Sequence, residues 1–224
     1  MITLYHCISA RSFRPLWMLE EIGLPYELKV LPFPPRLEAQ PYLEVNALGT
    51  IPAFFDGATR MTESAAICHY LAARHSPGAL NVETDEPDFG AYLNWLHFGE
   101  ATLTFPQTLV LRYSRFEPAE RRQPQVAEDY ARWFLSRLRT LEPLLAQQEF
   151  LCAGRFTAAD VSVGYALMLA DDIGLTERFK PAVLAYWQRL QAREGYQRAL
   201  AAQQRAAAEQ GVAPHSVAQA TGPF

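Results

Sequence analysis

The sequence predicts a mixed α/β unit followed by an all-helical unit, and three observations support this fold class. In the first 76 residues, short β-rich runs alternate with amphipathic helical segments. Beyond about residue 88, long windows with helical periodicity follow one another, and none has the alternation of a strand. Between the two lies GALNVETDEPD, a polar, acidic and proline-containing stretch typical of a linker. We therefore predict domains at residues 1–77 and 88–224, joined by a linker at residues 78–87.

The elements of the first unit follow from strand, cap and turn signals along the chain. Residues 2–7 (ITLYHC) are β-rich, and SFRPLWMLEEIGLP predicts a helix with Ser12 as its N-cap. Residues 26–33 (YELKVLPF) predict a second strand, and LEAQPYLEVN predicts a weak, proline-interrupted helical segment. IPAFF and TRMT flank an Asp-Gly turn and predict an antiparallel hairpin. ESAAICHYLAARH then closes the unit as an amphipathic helix.

In the helical unit, one apolar stripe and one helix start are specified by spacing. The stripe recurs every three or four residues and consists of Ala127, Tyr130, Phe134, Leu138, Leu141 and Leu145. The segment RFTAADVSVGYAL places Thr157 at an N-cap and Asp160 three residues later, a capping box that contributes about 1 kcal/mol. We therefore interpret Asp160 as structural rather than catalytic. The tail GVAPHSVAQATGPF has few large apolar residues and is predicted to be mobile.

Composition and charge restrict the class of protein. The chain has 224 residues, of which 50% are hydrophobic and 20% are charged, as in ordinary globular proteins. Its net charge of -4 lacks the basic footprint of a nucleic-acid binder. There is no run of about 18 uncharged apolar residues that would predict a membrane span, and the first residues do not resemble a signal peptide. We therefore expect a cytoplasmic protein that binds neither nucleic acid nor membrane.

The cysteines and histidines predict neither a disulfide framework nor a metal site. The three cysteines, Cys7, Cys68 and Cys152, are far apart, and this odd, sparse count fits a reducing cytoplasm. The five histidines form no pair at metal-ligand spacing. Because Cys7 is not part of a CxxC motif, we interpret it as a buried strand thiol rather than a redox cysteine. Cys68 and Cys152 are interpreted as packing residues.

Five segments of the chain carry a combined pattern. They are LYHCISARSFRPLWMLEEIGLPYE, QPYLEVNALGTIPAFFDG, MTESAAICHYLAAR, FLCAGRFTAADVSVGYAL and LAYWQRLQAREGYQRAL. Together they resemble the cytosolic glutathione S-transferases, with a helix start similar to that of bacterial serine-type members. The resemblance implies a thioredoxin-like N-terminal domain, an all-helical C-terminal domain and a homodimer. It also implies a glutathione transferase that uses glutathione as co-substrate, without a metal, to attack a small hydrophobic electrophile.

The resemblance implies a glutathione site built from two short stretches. In the family, the proline that matches Pro52 follows a cis peptide bond, and the backbone of Ile51 binds the cysteinyl unit of glutathione in a short antiparallel pairing. Glu63 and Ser64 begin a helix whose free N–H groups and positive dipole end suit a carboxylate. In relatives the γ-glutamyl group of the tripeptide lies there.

Such a transferase needs the thiolate of glutathione. Lowering a thiol pKa by about two units takes about 2.7 kcal/mol of preferential stabilisation. One hydrogen bond to a charged group supplies about 1.5–3 kcal/mol, and a helix N-terminus supplies about 0.3–1 kcal/mol. The candidates are Ser9, placed first, then Tyr5, Ser12 and Arg11, because Ala10 occupies the position where the serine of serine-type relatives is expected.

The resemblance places the electrophile pocket beside the first long helix of the second unit. Its predicted wall consists of Trp95, Phe98, Thr102, Phe105 and Tyr113, a set that is also typical of a bundle core. By analogy alone, Glu100 of one subunit could reach the amine of the glutathione that is bound to the other subunit. The alternative functions are a non-catalytic ligand- or protein-binding member of the family, favoured by Ala10, and a glutathione-dependent peroxidase or isomerase.

Overall fold

The protein is described by a computed structural model that covers residues 1–220. A four-stranded sheet has the strand order β2-β1-β3-β4. The first strand, β1 (Ile2–His6), pairs in parallel with β2 (Tyr26–Val30) and antiparallel with β3 (Ala53–Asp56). The strand β4 (Thr59–Met61) pairs antiparallel with β3 and completes the predicted hairpin. The order of elements therefore confirms the predicted α/β unit.

The helices of this unit cover the sheet and connect its strands. They are α1 (Phe13–Ile22), the short α2 (Pro35–Glu38) and α3 (Ser64–His75). Leu4 and Phe54 of the sheet are fully buried and share one core with α1 and α3.

One local prediction in this unit is wrong, and another is confirmed in position only. The predicted strand over residues 26–33 is too long, because β2 ends at Val30 and Pro32 has no N–H with which to continue the ladder. Ser12 lies at the N-cap position of α1, but its side chain makes no cap hydrogen bond. Its hydroxyl is instead 2.8 Å from Nδ1 of His6.

The second unit is helical throughout its described length, as predicted. Its helices are α4 (Phe89–His97), α5 (Phe105–Leu111), α6 (Pro124–Arg137), α7 (Leu141–Leu145), α8 (Ala158–Asp172), α9 (Pro181–Gln191) and α10 (Glu194–Glu209). A π-helical stretch, Phe98–Thr104, joins α4 to α5 without a break. We call this continuous segment the α4–α5 helix.

The buried helix α8 starts where the sequence predicts. Thr157 Oγ1 accepts the N–H of Ala159 at 3.3 Å, and the Asp160 carboxylate accepts the N–H of Thr157 at 2.8 Å. Asp160 also accepts the hydroxyl of Tyr186 at 2.8 Å. Burial raises the pKa of Asp160 to about 6. Every polar contact of this carboxyl group is therefore structural, as the spacing indicates.

The last helix, α10, returns to the α/β unit. It packs on α1 and on β2, where the side-chain amide of Gln210 donates to the Leu28 carbonyl and accepts the Val30 N–H, both at 2.8 Å. At the start of the helix, Arg193 forms a two-pronged ion pair with Glu21 of α1, at 2.8 and 2.9 Å. The C-terminal helix thus covers the edge of the sheet and contributes to the N-terminal core.

The predicted mobility of the tail is wrong for Ser216, Val217 and Ala218. Val217 and Ala218 are buried, and the N–H of Val217 donates to the Ile8 carbonyl at 3.1 Å. Ser216 caps this short turn and donates its hydroxyl to Asp172 at 2.6 Å. Residues 221–224 of the predicted mobile segment lie outside the described residues.

Candidate active site

A cleft of about 410 Å³ opens between the turn after β1 and the helices of the second unit. One wall combines the turn after β1, the segment that leads from β2 into α2, the loop before β3 and the start of α3. All four residues that the resemblance assigns to glutathione lie on this wall, and they are Ile51, Pro52, Glu63 and Ser64. The opposite wall comes from the α4–α5 helix, α8 and the tail.

The loop before β3 presents its backbone to the cleft. The Ile51–Pro52 peptide is cis, as the resemblance implies. The ladder between β1 and β3 ends at the Ala53 pair, so Ile51 lies beyond the last strand pair. The Thr50 carbonyl accepts hydrogen bonds from Asn46 Nδ2 and from the hydroxyl of Tyr42, each at 2.7 Å. These buried polar side chains hold the loop where it enters the cleft.

Gly49 allows this loop to lie against α2. Its φ is +60°, a left-handed conformation that a residue with a Cβ adopts only at a cost. A Cβ built at this position would lie 2.6 Å from Cβ of Arg36. Both the conformation and the close approach therefore require glycine.

The start of α3 supplies free backbone donors to the cleft. Glu63 is the N-cap, in an extended conformation, and its side chain makes no cap hydrogen bond. The N–H groups of the first turn have no partner within the helix, and the helix dipole is positive at this end. Ser64 is buried, and its hydroxyl accepts from Arg14 Nη1 at 3.1 Å. This arrangement can bind a carboxylate.

Arg14, on α1, is fully buried and lies beneath the start of α3. Besides Ser64, its guanidinium donates to the Glu100 carboxylate at 2.5 Å and to three further oxygen atoms of the helical unit. Because these partners belong to both units, Arg14 orients the start of α3 relative to the α4–α5 helix.

Arg11 and Glu100 form the charged centre of the cleft. Arg11 Nε donates to Glu100 Oε1 at 2.7 Å, and Nη2 donates to Thr108 Oγ1 at 3.4 Å. Burial opposes the charge of Glu100, but the guanidinium groups of Arg14 and Arg11 outweigh it and lower the pKa of the carboxyl group. Burial also opposes the charge of Arg11, but Glu100 outweighs it and raises the pKa of the guanidinium. Among the residues that the structure describes, Nη1 of Arg11 has no hydrogen-bond acceptor, so it can donate to an anion in the cleft.

Of the four candidate thiolate stabilisers, all within residues 1–220, only Arg11 lines the cleft. Ser12 is fully buried and its hydroxyl is engaged with His6. Ser9 is buried within the turn after β1. Tyr5 lies on β1, where its ring packs against neighbouring aromatic rings. The neighbours of Arg11 on the cleft wall include Ala10.

The five residues predicted for the electrophile pocket are not among the described residues that line this cleft. Phe98 and Thr102 border a separate groove on the outer side of the α4–α5 helix. Phe105 is 53% exposed. Trp95 and Tyr113 pack at the margin of the core. The aromatic side chains of this helix therefore face its partners and the outside, away from the cleft.

A different side of the α4–α5 helix lines the cleft. Glu100, Thr108 and Leu111 recur at helical spacing and form its wall. The wall continues with Phe116, Tyr165, Leu169 and Val217. The polar spacing of Glu100 and Thr108 was a usable sequence signal, whereas the contribution of Val217 depends on how the tail folds back. Glu100, which analogy assigned to the partner subunit, lies on the cleft of its own chain.

All cysteines are buried and lie within the described residues. Burial raises the pKa of the Cys68 thiol to about 12, that of Cys152 to about 11 and that of Cys7 still further. Each thiol therefore stays protonated, in agreement with a packing role.

Two further properties concern the described residues only. Within residues 1–220, no group of three or more His, Cys, Asp or Glu side chains could hold a metal ion. No helix in the same range is long and apolar enough to cross a membrane.

Comparison with known protein sequences gives matches to one group. The family model described as glutathione S-transferase, N-terminal domain, matches residues 8–74. Glutathione S-transferase 3 of Schizosaccharomyces pombe is 37% identical over 103 residues, which cover 46% of this chain and 43% of that protein. Glutathione S-transferase 3 of Zea mays is 27% identical over 208 residues, which cover 87% of this chain and 90% of that protein. The chain thus matches under half the length of the first relative and most of the second.

Solved structures give the same result over nearly the whole chain. A glutathione transferase from Phanerochaete chrysosporium, solved in complex with oxidized glutathione, is 28% identical with a TM-score of 0.79. The match covers 90% of this chain and 95% of that one. A glutathione transferase from Methylococcus capsulatus is 25% identical with a TM-score of 0.78, and the match covers 90% and 98% of the two chains.

Proposed function

This chain belongs to the cytosolic glutathione S-transferase family, and on that premise we propose that it is an active glutathione transferase. It ionises the thiol of glutathione for attack on a small hydrophobic electrophile. The observation that carries the proposal is the convergence, in one cleft, of the Ile51 backbone, the start of α3 and the Arg11 guanidinium. These groups match the three needs of the reaction, which are to hold the tripeptide backbone, to bind its γ-glutamyl carboxylate and to stabilise its sulfur as an anion.

The tripeptide is held by backbone groups and by one helix end. The N–H and C=O of Ile51 pair with the cysteinyl unit of glutathione as a short antiparallel strand would. The carboxylate of the γ-glutamyl group accepts from the free N–H groups at the start of α3 and from the hydroxyl of Ser64. Glu63, at the same helix end, supplies a negative charge for the amine of that group.

We assign the stabilisation of the thiolate to Arg11. Arg11 and Arg14 both pair with the one carboxylate of Glu100, at 2.7 and 2.5 Å, so this carboxylate alone does not neutralise both guanidinium groups. Nη1 of Arg11 provides a charged donor, and such a hydrogen bond contributes about 1.5–3 kcal/mol. That is comparable with the roughly 2.7 kcal/mol needed to lower a thiol pKa by two units. Ser9, Ser12 and Tyr5 lie off the cleft wall, which supports Arg11 over them.

The thiolate attacks an electrophilic carbon that lies against the apolar part of the opposite wall. A carbon–sulfur bond forms, and the leaving group departs with the electron pair of the bond that breaks. Leu111, Phe116, Leu169 and Val217 supply this apolar surface, which suits a small hydrophobic compound. We place the reaction in the detoxification of such compounds in the cytoplasm, where the sparse, buried cysteines remain reduced.

The outer side of the α4–α5 helix supports a homodimer. Phe105 is 53% exposed there. The adjoining groove, of about 380 Å³, is lined by Leu93, Asn94, His97, Phe98, Ala101 and Thr102. A second copy of the chain that covers this surface would remove it from water, as in symmetric dimers.

A non-catalytic glutathione-binding protein is the second candidate, because Ala10 stands where serine-type relatives carry a hydroxyl. Ultraviolet difference titration of glutathione bound to the protein distinguishes the two candidates. An active transferase should bind glutathione at millimolar concentrations and lower the pKa of its thiol by about two units from its free value near 8.5. Binding with an unchanged thiol pKa would leave only the non-catalytic protein. Absence of binding would contradict both candidates.

A further inference from the structure

Gln203 lies on α10, far from the cleft-lining residues in sequence, yet it is in contact with the turn that carries Arg11. It is 1% exposed. Its side-chain oxygen accepts the backbone N–H of Ser9 at 3.0 Å and lies 3.0 Å from Nε2 of His6. Gln203 is not one of the described residues that line the cleft. It can therefore affect the chemistry only through the turn.

The turn after β1 needs such support because its backbone is unfavourable. Ser9 has a φ of +55°, in the left-handed region that a residue with a Cβ adopts only at a cost in free energy. Its N–H points into the protein interior, where an unpaired donor is costly. The Gln203 oxygen satisfies this donor in the observed conformation. The next residues of the turn, Ala10 and Arg11, are the ones that reach the cleft wall.

The same oxygen fixes the direction of a chain of hydrogen bonds. A backbone N–H can only donate, so the atom of Gln203 that faces Ser9 is the oxygen, and it can only accept from His6 Nε2. Burial lowers the pKa of His6 to about 4, so the ring is neutral and carries its proton on Nε2. Nδ1 of His6 then accepts the Ser12 hydroxyl proton at 2.8 Å, and Ser12 Oγ accepts the Cys7 N–H at 3.3 Å.

We propose that Gln203 is a positioning residue that holds the turn from Cys7 to Ser12 in the conformation that presents Arg11 to the sulfur of glutathione. It pins the turn at Ser9 by a direct hydrogen bond and at Ser12 through His6. The groups that bind the rest of the tripeptide, at Ile51 and at the start of α3, are outside this network. Loss of Gln203 therefore affects the ionisation of the sulfur more than the binding of glutathione. This inference rests on the proposed function.

The test compares Gln203→Leu with wild type and with Gln107→Leu. Gln107, on α5, is a matched control because it is also fully buried, but it donates to the carbonyl groups of Leu103 and Ala166, outside the turn. Turnover is measured with glutathione and a chlorodinitrobenzene. For Gln203→Leu we expect kcat to fall about 10-fold or more, because small misplacements of reacting groups cost up to about 100-fold. KM for glutathione should change less than about 3-fold, and Gln107→Leu should retain kcat.

A second readout does not depend on catalysis. Hydrogen exchange of the Ser9 amide should be faster by about 10-fold or more in Gln203→Leu and unchanged in Gln107→Leu, because only the first variant removes its acceptor. If Gln203→Leu does not fold, Gln203→Glu replaces it. Its carboxyl oxygen accepts from the same two donors, so it should retain protection at Ser9 and most of kcat.

Rescue distinguishes positioning from a general loss of packing. Glycine adopts a positive φ without the cost that serine bears, so adding Ser9→Gly to Gln203→Leu should restore part of kcat. If Gln203→Leu has the same kcat as wild type and the same rate of hydrogen exchange at the Ser9 amide, the inference is wrong. A wild-type protein that does not ionise glutathione would instead contradict the proposed function, and Ser9 exchange would still decide whether Gln203 holds the turn.

Discussion

Arg11 is the residue on which the proposed chemistry depends. Replacing it with glutamine removes the charge and keeps a side chain of similar polarity. We expect Arg11→Gln to raise the pKa of the bound thiol by about 1–2 units, the equivalent of one charged hydrogen bond. The rate at neutral pH should then fall about 10-fold or more, because less of the sulfur is ionised. Ultraviolet difference titration and steady-state turnover measure the two effects.

The control for this variant is Arg112→Gln. Arg112 lies just beyond α5, is largely exposed and pairs with Glu117, so its loss removes one positive charge without touching the cleft. Its thiol pKa and rate should match those of wild type. An unchanged thiol pKa in Arg11→Gln would transfer the role to Ser9, Tyr5 or Ser12.

His6 makes the stability of the fold depend on pH. Burial lowers its pKa from 6.5 to about 4, so between these values the unfolded chain binds a proton that the folded chain excludes. Stability from this residue is therefore complete above about pH 6.5 and is lost as the pH falls toward 4, by up to about 3 kcal/mol. In His6→Gln this dependence is absent. The difference in free energy of unfolding between wild type and variant, from urea titrations, should shrink by that amount.

Exposed His215 provides the comparison for His6. His215→Gln should keep the pH dependence of wild type, because this side chain is exposed in the tail. If the difference in free energy of unfolding between wild type and His6→Gln stays constant from neutral pH to pH 4, folding does not lower the pKa of His6 and the prediction is wrong.

At the residue scale, the sequence locates the proposed tripeptide-binding positions more directly than the proposed sulfur-binding one. Pro52 and Glu63 stand in a fixed order of turn, hairpin and helix, so a motif locates them, and both line the cleft. The choice among Ser9, Ser12 and Arg11 depends instead on a backbone conformation at Ser9 that no local pattern specifies. The partner of that turn, Gln203, is some two hundred residues away, and nothing in its surroundings marks it.

The loop that leads into β3 is sensitive to a single methyl group at Gly49. Gly49→Ala would place a Cβ 2.6 Å from Cβ of Arg36, at a positive φ, and should displace the loop that presents Ile51. We expect glutathione binding, measured by calorimetric titration, to weaken about 10-fold or more, since pairing with a backbone strand depends on its position.

Gly57→Ala separates the effect of a positive φ from the effect of the contact with Arg36. Gly57 has the same φ of +60°, but no atom lies within 4 Å of the position of its Cβ. This variant should therefore lose about 1–2 kcal/mol of stability from the conformation alone and bind glutathione as wild type does. Equal effects of the two variants on binding would exclude the contact with Arg36 as the cause.

The sequence predicts the elements of this fold more reliably than their orientation. Cap and turn signals identified α1, α3, the hairpin and the start of α8, because these depend on neighbouring residues. The cleft-facing side of the α4–α5 helix was not identified, since aromatic side chains fit a core, a groove or a pocket equally well. Which side faces the cleft is decided by Arg14, which attaches Glu100 to α1.

At the scale of the whole molecule, the outer side of the α4–α5 helix is expected to determine the assembly. Ala101→Glu would place a charge in the groove beside Phe98, where burial against a second copy would be costly. We expect the variant to sediment as a monomer where wild type sediments as a dimer. Leu37→Glu is the control, because Leu37 is an exposed apolar residue of α2 that does not border the groove. If wild type and Ala101→Glu sediment with the same mass, the proposed interface is wrong.

The burial of every cysteine has a practical consequence for how this protein meets oxidants and alkylating agents. Cys7, Cys68 and Cys152 are buried and held as protonated thiols, so the polypeptide offers no reactive thiol to a reagent in solution. In the proposed reaction, the nucleophilic sulfur belongs to glutathione and leaves the cleft as part of the product. Iodoacetamide added to the folded protein should thus leave its mass unaltered, and the catalyst should survive the compounds that it consumes.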